Sequence, residues 1–434
     1  MTTTRMPSAD AAWLGIDAPD NLMMVTAVLR LRGRVDWARF ADVVQERIVS
    51  RYPTFRLRAV RGAGRLGQSV WSDDLVFDLD DHVVPGALDA GSESGLSDVV
   101  SNLLGTPLDM TRPPWQFHLV DGPNGNSTVV ARLHHCIADG IALSSVLLSL
   151  TDEADQTIAV AADIAGVSIV KEPSGNIRWR RLRNGLRVGT GVVATGVRVL
   201  AYPRDPRTCL HAHLGIRKGA AWTRPIELDR LKDIGRAYGV TVNDVALAVT
   251  AGALRSYLLA RGQADHDLRI FIPVNVRPPN QPVSTRLGNR FGLNFLSLPI
   301  SMADPERRVR AVHERTRRLK AGQQAAATFV LLRAVGLAPR WAQRLSARLL
   351  GAKSSAVITN VRGPSRPLTL AGAPMDSVVF WVPQTGSVGL GVSILSYAGT
   401  VTVGIAADRN VIGEPSDLAD AVEAEVAELE NRLR

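Results

Sequence analysis

The chain has 434 residues, of which 46% are hydrophobic, and a formal net charge of +10. It is too long for one compact core and apolar enough for two, so two domains of ordinary size are expected. Cys136 and Cys209 are the only cysteines, which excludes a disulfide scaffold or a cysteine metal cluster and fits a reducing cytoplasm. The arginine-rich balance favours anionic partners, such as phosphorylated ligands or an anionic membrane surface. Nucleic acid is disfavoured, because the sequence has no zinc finger, RNA-binding aromatic motif or basic tail. The first residues, MTTTRMPSADAAWLG, lack the apolar core of a signal peptide, so export is not expected.

In chain order, the pattern predicts a strand over Asn21–Leu31 and an amphipathic helix over Asp36–Ser50, stopped by Tyr52-Pro53. Strands are expected over Phe55–Val60 and Gln68–Trp71, an extended segment over Leu75–Val84, and a short helix over Leu96–Leu104. Pro113-Pro114-Trp115 leads into a strand through Val120, and the turn segment DGPNGN links it to a further strand, Thr128–Leu133. A helix over Ala138–Leu150 follows. His134 and His135 fall at the junction, where strand alternation should send them to opposite faces. Asp139 and Gly140 close the turn, one able to accept backbone hydrogen bonds, the other to allow close approach or a positive φ.

From 153 to 218 the pattern weakens into a linker. Within it, Ile177–Arg207 carries eight arginines against Asp205, with Leu182, Leu186, Val193 and Val197 on one face. It reads as a basic amphipathic helix, either docked on an anionic membrane or packed on its own protein. The second half, 219–434, again alternates. Helices are expected over Glu227–Tyr238, Asn243–Ala260, Asp304–Lys320, Ala325–Leu350 with a break near Gly336–Pro339, and Glu414–Arg434. Strands are expected over Leu268–Val276, Phe291–Leu298, Ser355–Thr359, Ser377–Val382, Gly389–Tyr397 and Thr400–Ala406. The uncharged run Ser377–Ala407 is cut by Pro383 and several glycines, so it reads as buried sheet rather than a membrane span.

Six segments occur together: Pro113-Pro114-Trp115; His134-His135-Cys136-Ile137-Ala138-Asp139-Gly140; Asn243-Asp244; Pro273-Val274-Asn275-Val276-Arg277; Gly288-Asn289-Arg290; and Asn360-Val361-Arg362-Gly363-Pro364. The second matches HHxxxDG, and the set resembles the bacterial wax ester synthase/diacylglycerol acyltransferases of the CoA-dependent acyltransferase and condensation-domain superfamily. Proline at 114, where that family has leucine, and arginine at 362 are the departures. The resemblance implies an α/β fold of two chloramphenicol acetyltransferase-like domains, 1–152 and 219–434, with the active-site tunnel between them. It also implies an acyl-CoA-dependent transfer to diacylglycerol or a long-chain alcohol, with acyl-CoA as substrate and no cofactor or metal. The enzyme would be cytoplasmic, held peripherally at the inner face of the membrane or at lipid droplets.

On this reading His135 is the general base, with His134 and Asp139 completing the catalytic motif and no covalent acyl-enzyme. Gly140, Asn243, Asp244, Arg277, Pro113 and Trp115 support it, and Asn289, Asn360, Gly363 and Pro364 are expected along the substrate channel. Asp139 is expected to be structural and paired with an arginine, Arg277 first, because a buried carboxylate without a partner is costly. Pro113-Pro114-Trp115 also reads as a rigid strand entry with a buried tryptophan, and Asn243-Asp244 as a helix cap. Two other classes compete. A metallohydrolase would use His134, His135 and Asp139, but adjacent strand histidines diverge. A lipid-binding protein on a degenerate acyltransferase fold would keep the tunnel without the base.

Overall fold

The computed structural model describes residues 3–62, 68–86, 92–122, 125–153, 194–278, 284–320, 322–384 and 386–433. The architecture is mixed α/β, built on two large sheets and a small one. In the first large sheet the strands run in the order Thr369–Leu370, Ala373–Trp381, Met24–Leu31, Ser127–His134, Trp115–Asp121 and Val83–Pro85. Every residue of Ser127–His134 is buried, as expected for a central strand covered on both faces. Leu133, Ala131 and Val129 join one core with Phe40, Phe55 and Trp115. Val130 packs the other way, against Val99 and Val100 of the helix Glu93–Gly105.

The second sheet has the order Phe291–Leu298, Leu268–Asn275, Ala356–Arg362, Leu390–Tyr397, Thr400–Asp408 and Lys218–Trp222, with Ile226–Glu227 also paired to Thr400–Asp408. Its first core packs the helices Val242–Leu259, Pro305–Lys320 and Pro415–Asn431 against Ile270, Ile358 and Val403. A smaller cluster on Phe271, Phe295 and Val357 includes Val199.

The sheets are interlocked rather than merely adjacent. Ala373–Trp381 comes from the second half of the chain yet pairs antiparallel with Met24–Leu31 in the first sheet. In return, the helix Glu93–Gly105 packs on Lys218–Trp222 of the second, where Ser97 Oγ donates to Ala220 O at 2.7 Å. At the junction the Ser393 hydroxyl donates to the Phe380 carbonyl.

Most expected elements are present, including the paired helices Gln324–Val335 and Arg340–Gly351 either side of the break at Gly336–Pro339. An unexpected element is the helix Ser8–Ile16, seven of whose nine residues are buried. Most of the basic linker lies outside the described residues. Its visible end is helical over 194–201, with Val199 buried and Val197 and Leu200 exposed. Among the described residues no single helix is long and apolar enough to cross a membrane. The bent pair Leu228–Tyr238 and Val242–Leu259 passes by composition, but the longer member is largely buried core.

Candidate functional site

The strand Ser127–His134 delivers the two histidines to different surroundings. The His134 ring points back into the protein: Nδ1 accepts the Cys136 N–H at 3.1 Å and Nε2 lies 3.6 Å from Asp17 Oδ1. Burial raises the Asp17 carboxyl, but the approach of His134, the Met23 N–H and Arg61 outweigh it and hold the group below the usual carboxylate range. His135, one residue on, lines a cavity. Its ring stacks on Trp13 with centroids 4.3 Å apart and leans on Phe291 at 5.5 Å.

The proton on His135 is placed by a chain of acceptors. Asn289 N and Nδ2 both donate to Asp10 Oδ1 at 2.8 Å, and Nδ2 also donates to the His135 carbonyl at 2.8 Å. With its amide nitrogen so committed, Asn289 presents Oδ1 as an acceptor 2.9 Å from His135 Nδ1. That assigns the hydrogen to Nδ1 and leaves the Nε2 lone pair available. Burial pushes the imidazole down to about 4, so the ring is neutral at ordinary pH, the Asp139 charge only partly opposing the shift. Burial likewise lifts the Asp10 carboxyl to about 7, against the Asn289 hydrogen bonds that lower it. Asp10 and Trp13 are one helical turn apart on Ser8–Ile16, so one short helix supplies both the end of this chain and the stacking partner of the histidine.

Asp139 works through geometry. Oδ1 caps the helix Gly140–Ser149 by accepting the Ala142 N–H at 3.0 Å, while Oδ2 accepts the Arg290 N–H at 2.7 Å and lies 2.7 Å from Arg277 Nη1. The ion pair anticipated from sequence is therefore present, and both partners are buried. Arg277 Nη2 also donates to Gly288 O at 2.9 Å. Gly288, Asn289 and Arg290 thus bond, in turn, to Arg277, His135 and Asp139. Gly140 does not use the freedom expected of it: its φ is not positive, and a Cβ there would meet nothing within 4 Å. It opens onto the cavity instead.

That cavity encloses about 340 Å³ between the two sheets. Ile141, Leu247, Phe271, Phe291 and Leu293 make its walls apolar, while Asn360, Arg362 and Lys320 line it where the chain is exposed. Asn243 also lines it, its Oδ1 accepting from Asn360 Nδ2 at 3.0 Å. The cap of Val242–Leu259 is Thr241 rather than Asn243, and Asp244 completes a capping box with it. The Asp244 carboxyl is raised by burial but held below its ordinary value overall by hydrogen bonds from His313 (2.8 Å), Thr316 (2.6 Å) and Thr241.

Of the sequence-predicted site residues, His135, Asp139, Gly140, Asn243 and Asn360 line the cavity, and Asn289, Asp244 and Arg277 brace it from behind. Pro113 and Trp115 do not reach it. Trp115 is core, donating from Nε1 to Phe55 O at 2.8 Å and stacked on His82 at 4.3 Å, while the Pro114 carbonyl accepts the His134 N–H at 3.0 Å. Gly363 and Pro364 also fall short of the expected channel: they follow the strand's end at Arg362, where the Gly363 N–H donates to Ser396 O and Pro364 O accepts the Ala398 N–H. Sequence reasoning missed Asp10 and Trp13 altogether. The histidines diverge as expected, and among the described residues no group of three or more His, Cys, Asp or Glu side chains converges as a metal site would require.

Residues 6–246 match the model of the wax ester synthase/diacylglycerol acyltransferase catalytic domain, and residues 287–430 that of the WS/DGAT C-terminal domain. A Mycobacterium tuberculosis protein named as the probable diacylglycerol O-acyltransferase tgs1 is 30% identical over 387 residues, covering 84% of this chain and 82% of its own. Another chain of that species, also named as a diacylglycerol O-acyltransferase, is 28% identical over 98% of this chain and 90% of its own. In fold, the wax ester synthase/diacylglycerol acyltransferase of Marinobacter aquaeolei VT8 superposes with a TM-score of 0.70 at 23% identity, covering 99% of both chains. The first condensation domain of the calcium-dependent antibiotic synthetase gives 0.60 at 17% identity, covering 99% of this chain and 95% of that one.

Proposed function

Because the chain belongs to the wax ester synthase/diacylglycerol acyltransferase family, we propose that it moves a fatty acyl group from acyl-CoA to the hydroxyl of a lipid alcohol, with His135 Nε2 as general base. Diacylglycerol is the first acceptor, as the names of the relatives suggest, and a long-chain alcohol the second. The observation that carries this reading is the neutral His135, its Nδ1–H given to Asn289 and its Nε2 left free at the wall of an apolar cavity.

The step is direct. Nε2 takes the alcohol proton as the oxygen attacks the thioester carbonyl, the C–S bond breaks, and the proton passes to the departing thiolate as CoA thiol. Positive potential at the start of the helix Gly140–Ser149, whose first two residues line the cavity, favours the oxyanion between these events. Apolar walls keep water from competing for the acyl group. A covalent acyl-enzyme is not needed, and two features argue against one: no serine or cysteine is among the described lining residues, and burial pushes the nearby Cys136 thiol well above its usual range. The exposed cations Lys320 and Arg362 suit the phosphates of CoA. Acyl-CoA is a substrate here, and the step uses no cofactor or metal. The acceptor is membrane-resident, so the reading includes peripheral association with the cytoplasmic face of the membrane or with lipid droplets.

Purified protein given palmitoyl-CoA and a panel of acceptors should release free thiol and form triacylglycerol or wax ester. Acyl label retained covalently on denatured protein would overturn direct transfer, and thiol release with no acceptor at all would favour a lipid-binding protein with stray hydrolysis. The pH profile tests the base separately. Since the neutral ring is the active form and burial lowers its pKa to about 4, kcat/KM should stay level as pH falls through the usual histidine range of about 6.5 and drop only near 4. An acidic limb centred near the ordinary histidine value would place the base elsewhere.

The Asn289 link gives a further expected result. Asn289→Ala removes the acceptor that keeps the hydrogen on Nδ1, so kcat should fall by about a hundredfold or more with little change in KM. A change confined to KM would leave Asn289 as a plain channel residue.

A further inference from the structure

The helices Gln324–Val335 and Arg340–Gly351 have one face locked into the protein and one face uncovered. On the inner side, Thr328 Oγ1 accepts the Leu293 N–H and Gln324 Oε1 the Phe295 N–H, both at 2.7 Å. Gly336 lies so close to the Ser8 carbonyl, and Gly292 to the backbone of Ala325, that neither leaves room for a Cβ. The outer side is apolar: Val330, Leu337, Trp341, Leu345 and Leu349 are between 49% and 65% exposed. Trp341, Leu345 and Leu349 follow one another at four-residue spacing and form a row. Arg340, Arg344 and Arg348 form the adjacent row about 100° around the helix.

Charge complementarity identifies what this face meets. Residues 322–351 contain four arginines and no acidic residue. Beside the row lies a second cavity, of about 200 Å³, lined by Arg5, Arg61 and Arg340 together with Ser8, Ser69 and Gln343. No acidic side chain is among its described lining residues, and the carboxylate nearest in the ion-pair network, Asp17, pairs with Arg61 at 3.1 Å. Burial, then the charges of Arg61 and Arg344, depress the Arg340 guanidinium below its ordinary value, a repulsion that a bound anion relieves.

We propose that this helix pair is the docking surface for an anionic phospholipid leaflet, with Trp341, Leu345 and Leu349 entering the interface and the arginine row and its cavity taking headgroup phosphates. An arginine stem can lie along the apolar row while its head stays with the phosphates, an arrangement a protein partner would not require. The surface has a consequence for the site. Its inner face abuts the strand Phe291–Leu298, whose Phe291 and Leu293 line the catalytic cavity, and Gly336 abuts the helix bearing Trp13. Behind the docked helix pair, the strand Phe291–Leu298 and the helix Ser8–Ile16 carry the Phe291 and Trp13 rings that touch His135. The inference deepens the lipid-alcohol reading, and docking is measured independently of it.

The test is flotation of the full-length protein with vesicles of phosphatidylcholine alone or mixed with phosphatidylglycerol, at low and high salt. Wild type should bind the anionic vesicles and be released by salt. Arg340→Gln with Arg348→Gln should weaken that binding by roughly thirtyfold, and Trp341→Ser with Leu345→Ser and Leu349→Ser should abolish it, both with unchanged circular dichroism and melting because all five side chains point outward. Both variants should keep wild-type transfer to a water-soluble short-chain alcohol while losing use of vesicle-borne diacylglycerol. Variants that float like wild type would overturn the proposal. So would a lipid-free wild-type dimer that the serine variant converts to monomer, since the face would then belong to a second copy of the chain. Normal flotation without transfer to any acceptor would leave docking intact and remove the proposed chemistry instead.

Discussion

His135→Ala should lower acyl transfer by about 10²- to 10⁴-fold, the usual contribution of a positioned general base, while the protein keeps its fold and its affinity for acyl-CoA. The ring bears on Trp13 and Phe291 at the cavity wall, so its loss enlarges a space that is already open rather than emptying a packed core. His134→Ala should retain measurably more activity. Its ring faces Asp17 and the Cys136 amide, and its loss disturbs the turn that carries His135 without removing the proton acceptor. Steady-state kinetics on both variants, with melting curves alongside, make the comparison. Equal and complete loss in both at unchanged stability would mean that the two histidines act as a unit.

Asp139→Ala should be primarily a stability mutant. It removes the cap of Gly140–Ser149, the acceptor of the Arg290 N–H and the partner of Arg277 in one change. Breaking a buried ion pair from one side costs about 3–5 kcal/mol, because the remaining charge is left without a partner. Lower soluble yield and an earlier unfolding transition are expected, with activity lost in proportion as the turn loosens. Arg277→Ala should behave similarly, though more mildly, since Asp139 would keep its two backbone donors. The double variant should cost less than the two single changes added together. Strict additivity in denaturant unfolding would show that the pair carries no coupling.

The parts of the site written locally were legible in the sequence. The divergence of His134 and His135 follows from strand alternation, and the pairing of Asp139 follows from the cost of a buried carboxylate. The break between the two outer helices is marked by Gly336 and Pro339. What was not legible has two causes. The helix Ser8–Ile16 is enclosed on nearly all sides, so it shows no polar face and no apolar stripe, and Pro7 gives it no side-chain cap. Its Asp10 and Trp13 were missed along with it. The bond between Asp10 and Asn289 spans 279 positions in the chain, and no local pattern encodes a contact of that range. Gly363 and Pro364 illustrate the converse: their motif lines the cavity only through Asn360, Val361 and Arg362, and beyond the strand's end the chain bonds to Ser396 and Ala398 instead.

The strand Ala373–Trp381 also fixes the order of events during synthesis. Met24–Leu31 lies between it and the histidine strand, so the first sheet has an open edge from the time its early strands leave the ribosome until the chain has grown some 350 residues further. An unpaired edge is a template for pairing with another chain, and pairing over such a separation is slow because loop closure must precede it. The nascent protein therefore passes through a long interval in which the strand carrying its histidines lies one strand in from an open edge. Exposure of that edge during the interval is a hazard of synthesis that the stability of the finished fold does not measure.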